Sequence, residues 1–231
     1  MKFAVINFPG ASAATETIDI LTRILGLEAF EIWHKDTDLK GADFVILPGG
    51  SSYGDYLRAG AIAKLSPIMD KVIQHAHSGG YVLGIGNGFQ ILCEAGLLPG
   101  ALTKNDNLKF ISKNTYIKAD NNASILNENI STSEVLKIPI AHEEGRYFAE
   151  EETLKELKSN GQMVFIYCDE NGEINEAANP NGSFENIAGI CNKNKNVFGI
   201  MPHPERASEE EVGNTDGLKI LEGLVDALRV K

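Results

Sequence analysis

The chain has 231 residues, of which 43% are hydrophobic and 23% charged, with a formal net charge of −11 and three cysteines. Its length fits one domain over residues 1–231 with a sizeable core, and its acidic balance argues against nucleic acid or an anionic membrane as partner. Cys93, Cys168 and Cys191 are an odd set without C-x-x-C spacing, which suggests neither a disulfide framework nor a zinc site; no apolar run approaches the ~20 residues of a membrane helix or the form of a signal peptide, so a soluble, cytoplasmic protein is expected.

Residues 3–8 form a short apolar strand that ends at Pro9-Gly10. Ser12 and Thr15-Glu16 then read as a helix start, with Ile18, Ile20, Leu21, Ile24 and Leu25 at helical spacing up to Gly26. Residues 29–33 and 43–47 are further strands, the second stopping at Pro48-Gly49-Gly50. A helix over about 67–77 leads through Ser78-Gly79-Gly80 into a strand at 81–85. Apolar strands alternating with amphipathic helices predict an α/β fold whose central, mostly parallel sheet is flanked by helices. The second half is less regular. Strands are expected at 109–112, 115–118, 136–140, 163–167, 187–191 and 197–200, as added antiparallel strands, with helices at 151–159 and 216–229.

Gly84-Ile85-Gly86-Asn87-Gly88-Phe89-Gln90 follows a strand and opens a helix, in the G-x-Nuc-x-G form of a nucleophile elbow. The central residue is glycine, so the segment alone reads more readily as a turn in a phosphate- or ligand-binding loop. Far downstream lies Met201-Pro202-His203-Pro204-Glu205-Arg206. Each proline biases its predecessor towards extended geometry, which would project His203 and Glu205 to the same side. A carboxylate beside an imidazole fixes its tautomer and stabilises its protonated form, as the acid of a catalytic triad does.

Together with Pro48-Gly49-Gly50, these segments resemble class I glutamine amidotransferases. Phe8-Pro9-Gly10, residues 54–63, 87–92 and 97–101, Ala141-His142-Glu143-Glu144-Gly145-Arg146 and residues 201–206 narrow the resemblance to the glutaminase subunits of phosphoribosylformylglycinamidine synthase, over essentially the whole chain. The resemblance implies a glutaminase that hydrolyses glutamine to glutamate and ammonia through a cysteine thioester. A partner synthetase would use the ammonia to convert formylglycinamide ribonucleotide to its amidine in purine synthesis. It implies His203 as base, Glu205 as its orienting acid, the backbone N–H groups of Gly50 and Asn87 as oxyanion donors, and Gly49, Gln90 and His142 around the substrate. For Gln90 and His142, a polar helix residue and a water-facing loop histidine are equally good readings of residue type.

The family's nucleophile position is occupied by Gly86, so the chain as written is expected to be inactive; no other cysteine is placed to substitute. Retention of the remaining apparatus favours an engineered or mis-transcribed cysteine over a natural non-catalytic relative. The alternative is a glutamine-binding or assembly subunit that does not turn over. An α/β-hydrolase is opposed by chain order, since there the acid precedes the histidine. No cofactor or metal is expected in this chain; there is no phosphate-binding G-x-x-x-x-G-K-[ST], so ATP and Mg²⁺ belong to the synthetase, with a small bridging subunit as a further candidate partner. Arg58 and Arg146 read either as partner contacts or as loop ties.

Overall fold

A computed structural model of the chain describes residues 1–229, and side chains through Val225. The residues gather into two compact units, 1–98 with 196–199, and 99–195 with 200–229.

In the first unit the strands are β1 (Lys2–Asn7), β2 (Glu28–Trp33), β3 (Phe44–Leu47), β4 (Tyr81–Ile85) and β11 (Val197–Ile200, of which 197–199 belong here), in spatial order β2-β1-β3-β4-β11. β1 pairs in parallel with β2 and β3, and β3 in parallel with β4. Each crossover must therefore run over a face of the sheet; α1 (Ala14–Asp19) lies in the β1–β2 connection and α2 (Pro67–His77) in the β3–β4 connection, while α3 (Asn87–Glu94) follows β4. Strands covered on both faces need apolar residues on both, and Phe44, Val45, Ile46 and Leu47 are all wholly buried. The helix expected from Ser12 begins instead at Ala14 with Ala13 at its cap position and no side-chain cap. Its end continues as a π-turn over Ile20–Ile24 and stops at Gly26, where φ is +66°.

The second unit is antiparallel, with the order β10 (Ile187–Cys191), β9 (Met163–Cys168), β6 (Ile111–Ala119), β7 (Val135–His142). The two strands expected at 109–112 and 115–118 are one: Lys113 and Asn114 pair with Ile140 and Pro139, so polar residues that read as a break simply face water on a continuous strand. β7 runs through Pro139 to His142, two residues further than expected. A two-stranded ribbon of β5 (Ala101–Thr103) and β8 (Arg146–Phe148) was not legible; three residues are too few to show a period. The helices α4 (Glu151–Ser159) and α5 (Asp216–Arg229) fall where the periodicity put them.

Candidate active site

The chemistry-bearing residues fall into two clusters, one in each unit. In the first, β4 delivers the chain into Gly86, whose φ of 53° and ψ of −108° turn it directly into α3. Such a turn brings strand and helix into backbone contact, and the flanking glycines are what permit it. A Cβ on Gly84 would lie 2.5 Å from the Gly88 carbonyl, and one on Gly88 would lie 1.9 Å from the carbonyl oxygen of Leu47.

The Asn87 side chain ties this elbow to the loop after β3. Its Oδ1 accepts from the Ser52 N–H at 3.1 Å, and its Nδ2 donates to Gln90 Oε1 at 2.8 Å and to Asp55 Oδ1 at 3.3 Å. Asn87 and Gln90 are both buried. The loop itself is strained: Tyr53, Asp55 and Leu57 all have positive φ. It is laced to the turn after β1, with Ala13 N–H donating to the Gly49 carbonyl and Ser51 N–H to the Gly10 carbonyl. Gly50 has φ +140°, and a Cβ there would fall 2.4 Å from the Gly10 oxygen. Among the described residues, neither the Gly50 nor the Asn87 backbone N–H donates a hydrogen bond. Main-chain donors left without acceptors are available to an anion.

Arg58 closes the far end of this loop. Its guanidinium forks onto Glu94 at 2.5 and 2.8 Å, joined by Lys64, and this pairing, Arg58 foremost, holds the Glu94 carboxyl below the usual carboxylate range. Cys93, the preceding helix residue, is partly buried, and desolvation pushes its thiol up, away from the reactive thiolate form. Cys168 and Cys191 are buried and pushed up to about 11 for the same reason.

In the second unit, His203 and Glu205 are both buried, and His203 Nδ1 meets Glu205 Oε1 at 2.6 Å. The extended geometry expected for this segment is not what joins them: Pro204–Arg206 is a turn of 3-10 helix with Pro204 at its first position. The loop is pinned by His203 N–H donating to the Pro139 carbonyl of β7. Because a carboxylate only accepts, Nδ1 carries the proton, and the lone pair of the neutral ring lies on Nε2. The other carboxylate oxygen, Oε2, is buried without a protein partner.

His142 ends β7 in a buried position, which rules out a water-facing loop. Its Nδ1 contacts Asn105 Oδ1 at 3.0 Å and its Nε2 contacts Asn181 Nδ2 at 3.4 Å. Desolvation, and secondarily the charge of His203, lower its pKa to about 4. Asn105 and Asn181 are both wholly buried, and sequence reasoning missed them; the only signal was their position in asparagine- and glycine-rich turns. Arg146 donates to the Gly182 carbonyl and lies over the Phe184 ring at 5.4 Å, so it ties the Asn181 loop to β8. No group of three His, Cys, Asp or Glu side chains among the described residues is arranged for a metal ion.

The sequence model of the CobB/CobQ-like glutamine amidotransferase domain matches residues 1–217, running through both units. Phosphoribosylformylglycinamidine synthase subunit PurQ of Moorella thermoacetica is 53% identical over 226 residues, covering 98% of this chain and 96% of that protein. The protein of the same name from Koribacter versatilis is 49% identical over 228 residues, covering 99% of each. The chain belongs to the PurQ family of glutamine amidotransferases. A chain in the solved structure of PurLQS from Thermotoga maritima superposes with a TM-score of 0.86 at 38% identity, over 98% of both chains. The PurQ fold is thus a mixed sheet of mostly parallel strands with flanking helices. No helix among the described residues is long and apolar enough to cross a membrane.

Proposed function

We propose that this chain is the glutaminase subunit of a phosphoribosylformylglycinamidine synthase, with both units working as one amidotransferase domain. The carrying observation is the buried His203–Glu205 couple at 2.6 Å in a chain that aligns end to end with PurQ proteins. With cysteine at position 86, the neutral imidazole of His203 would take the thiol proton at Nε2 while Glu205 holds Nδ1. The thiolate then attacks the side-chain amide carbon of glutamine. The developing oxyanion is met by the N–H groups of Gly50 and Asn87, and Gln90 and Gly49 line the substrate's approach. His203 returns its proton to the departing nitrogen, ammonia leaves, and water cleaves the γ-glutamyl thioester to glutamate. Gly86 supplies no nucleophile, and removal of a nucleophile lowers turnover on the order of a million-fold. The chain as written binds this machinery around a missing atom.

Ammonia needs an acceptor. We assign amidation of formylglycinamide ribonucleotide, with its ATP and Mg²⁺, to a separate synthetase subunit, and a small bridging subunit completes the assembly. The name of the PurLQS complex supports a multi-chain arrangement. Gly86 itself favours a second reading, a subunit that binds glutamine or assists assembly without turnover. Glutamate release from glutamine by Gly86→Cys, with and without the synthetase, separates the two. Release well above that of the glycine form supports the glutaminase. Release no greater than the glycine form overturns it, and glutamine binding with no thioester by mass spectrometry then selects the silent subunit.

A further inference from the structure

His142 is a buried titratable side chain in the same unit as the His203–Glu205 couple, and its two neighbours determine its chemical form. Asn105 Nδ2 donates to the carbonyls of Lys109 (2.8 Å) and His142 (3.0 Å), while Asn105 Oδ1 accepts from the Gly145 N–H at 3.1 Å. Backbone groups cannot exchange donor and acceptor roles, so the orientation of this amide is fixed, and the atom presented to His142 Nδ1 is an acceptor. Asn181 is fixed the same way from the other side. Its Nδ2 donates to the Gly145 carbonyl at 2.8 Å and its Oδ1 accepts from the Ser183 N–H at 3.0 Å, so a donor faces His142 Nε2. Gly145 completes the enclosure, because a Cβ there would lie 2.3 Å from the imidazole ring.

We propose that Asn105 and Asn181 are positioning residues that clamp His142 as a neutral imidazole protonated on Nδ1, so that His203 is the only ring in this buried cluster free to take up a proton. The inference rests on the glutaminase reading for its purpose but not for its geometry. An acceptor at Nδ1 demands a hydrogen there, and a donor at Nε2 demands a lone pair. A second proton on His142 would have to break the Asn181 contact and would place a cation in the same desolvated region as the imidazolium that His203 forms during catalysis. The imidazolium formed on His203 is the charge that bears on His142. Glu205 is committed to His203 Nδ1, and Tyr167, beside Asn181, is kept neutral because burial pushes its pKa up. The clamp thus keeps one proton acceptor where two histidines are close.

The test begins with the chain as it is. With imidazole ¹⁵N labelling, His142 should show a protonated Nδ1 and an unprotonated Nε2, with no titration above pH 5. A protonated Nε2, or titration near the ordinary histidine value, overturns the proposal whatever the activity of the protein. The second arm replaces the donor by an acceptor, as Asn181→Asp in the Gly86→Cys chain with its synthetase. His142 should then carry both protons at pH 6.5, and glutamate release should fall at least tenfold in kcat with KM for glutamine unchanged within twofold. Doubly protonated His142 with undiminished kcat overturns the catalytic purpose. If Asn181→Asp does not fold, Asn181→Ala, which removes the donor from Nε2, should let His142 titrate above pH 5 by the same labelling, and an Asn181→Ala chain whose His142 still does not titrate there overturns the clamp. If Gly86→Cys releases no glutamate at all, the function assignment fails while the labelling arm still decides the clamp.

Discussion

Gly86 occupies backbone geometry that a side chain resists. At φ 53° and ψ −108° a non-glycine residue meets strain of about 1–3 kcal/mol. Gly86→Cys is therefore expected to lower the urea-unfolding free energy by an amount in that range while raising glutamate release; a variant as stable as the glycine form would mean the elbow relaxes. In the Gly86→Cys background, Glu205→Gln replaces an acceptor at His203 Nδ1 by a group that can also present a donor. Turnover should fall by between about 10² and 10⁴ with little change in KM for glutamine, measured as glutamate release. Both residues were legible in the sequence because glycine spacing and His-Pro-Glu are local signatures. The asparagines that hold His142 were not, since Asn105 and Asn181 meet it only through a turn and a loop separated by 76 positions that carry no periodic pattern.

At the scale of elements, the elbow depends on how closely α3 approaches β3. The Gly88 Cα faces the Leu47 carbonyl with no room for a methyl group, so Gly88→Ala must push helix from strand. Its expected cost is about 3 kcal/mol, near the top of the overpacking range. Gly96 supplies the contrast. It lies just beyond the same helix with φ +71° and open space around it, so Gly96→Ala should cost only the left-handed penalty of about 1 kcal/mol. Denaturant midpoints of the two variants should differ accordingly, and equal midpoints would mean that conformation, not contact, dominates at position 88. Elements of five or more residues with a clear period, such as β1, β4, α2 and α4, fell where the sequence put them. The misses share a cause. β6 has polar residues in mid-strand, and β5 and β8 are three residues long, so each depends on partners remote in sequence.

At the scale of the whole molecule, buried neutral histidines make stability sensitive to acid. His142 titrates at about 4 in the folded chain, and desolvation also lowers the pKa of His34 and of His75. An unfolded histidine binds its proton near 6.5, so between there and the folded value the unfolded state holds protons the native state does not. Stability is thus full above about pH 6.5 and is lost as pH falls towards 4, with His142 contributing on the order of 3 kcal/mol across that window. Urea midpoints at pH 7 and pH 5 should show the drop, and His142→Gln should reduce it; a drop of the same size in that variant would move the acid sensitivity to other groups. Composition, period and motif spacing alone determined the α/β alternation, the elbow and the histidine–glutamate pair, because each is written in residues close along the chain. Tertiary structure alone decided that β6 is continuous, that Asn87 ties the elbow to the strained loop, and that His142 is a buried neutral ring. Those facts follow from which backbone donors and acceptors desolvation leaves to be satisfied, a condition set by neighbours in space rather than in sequence.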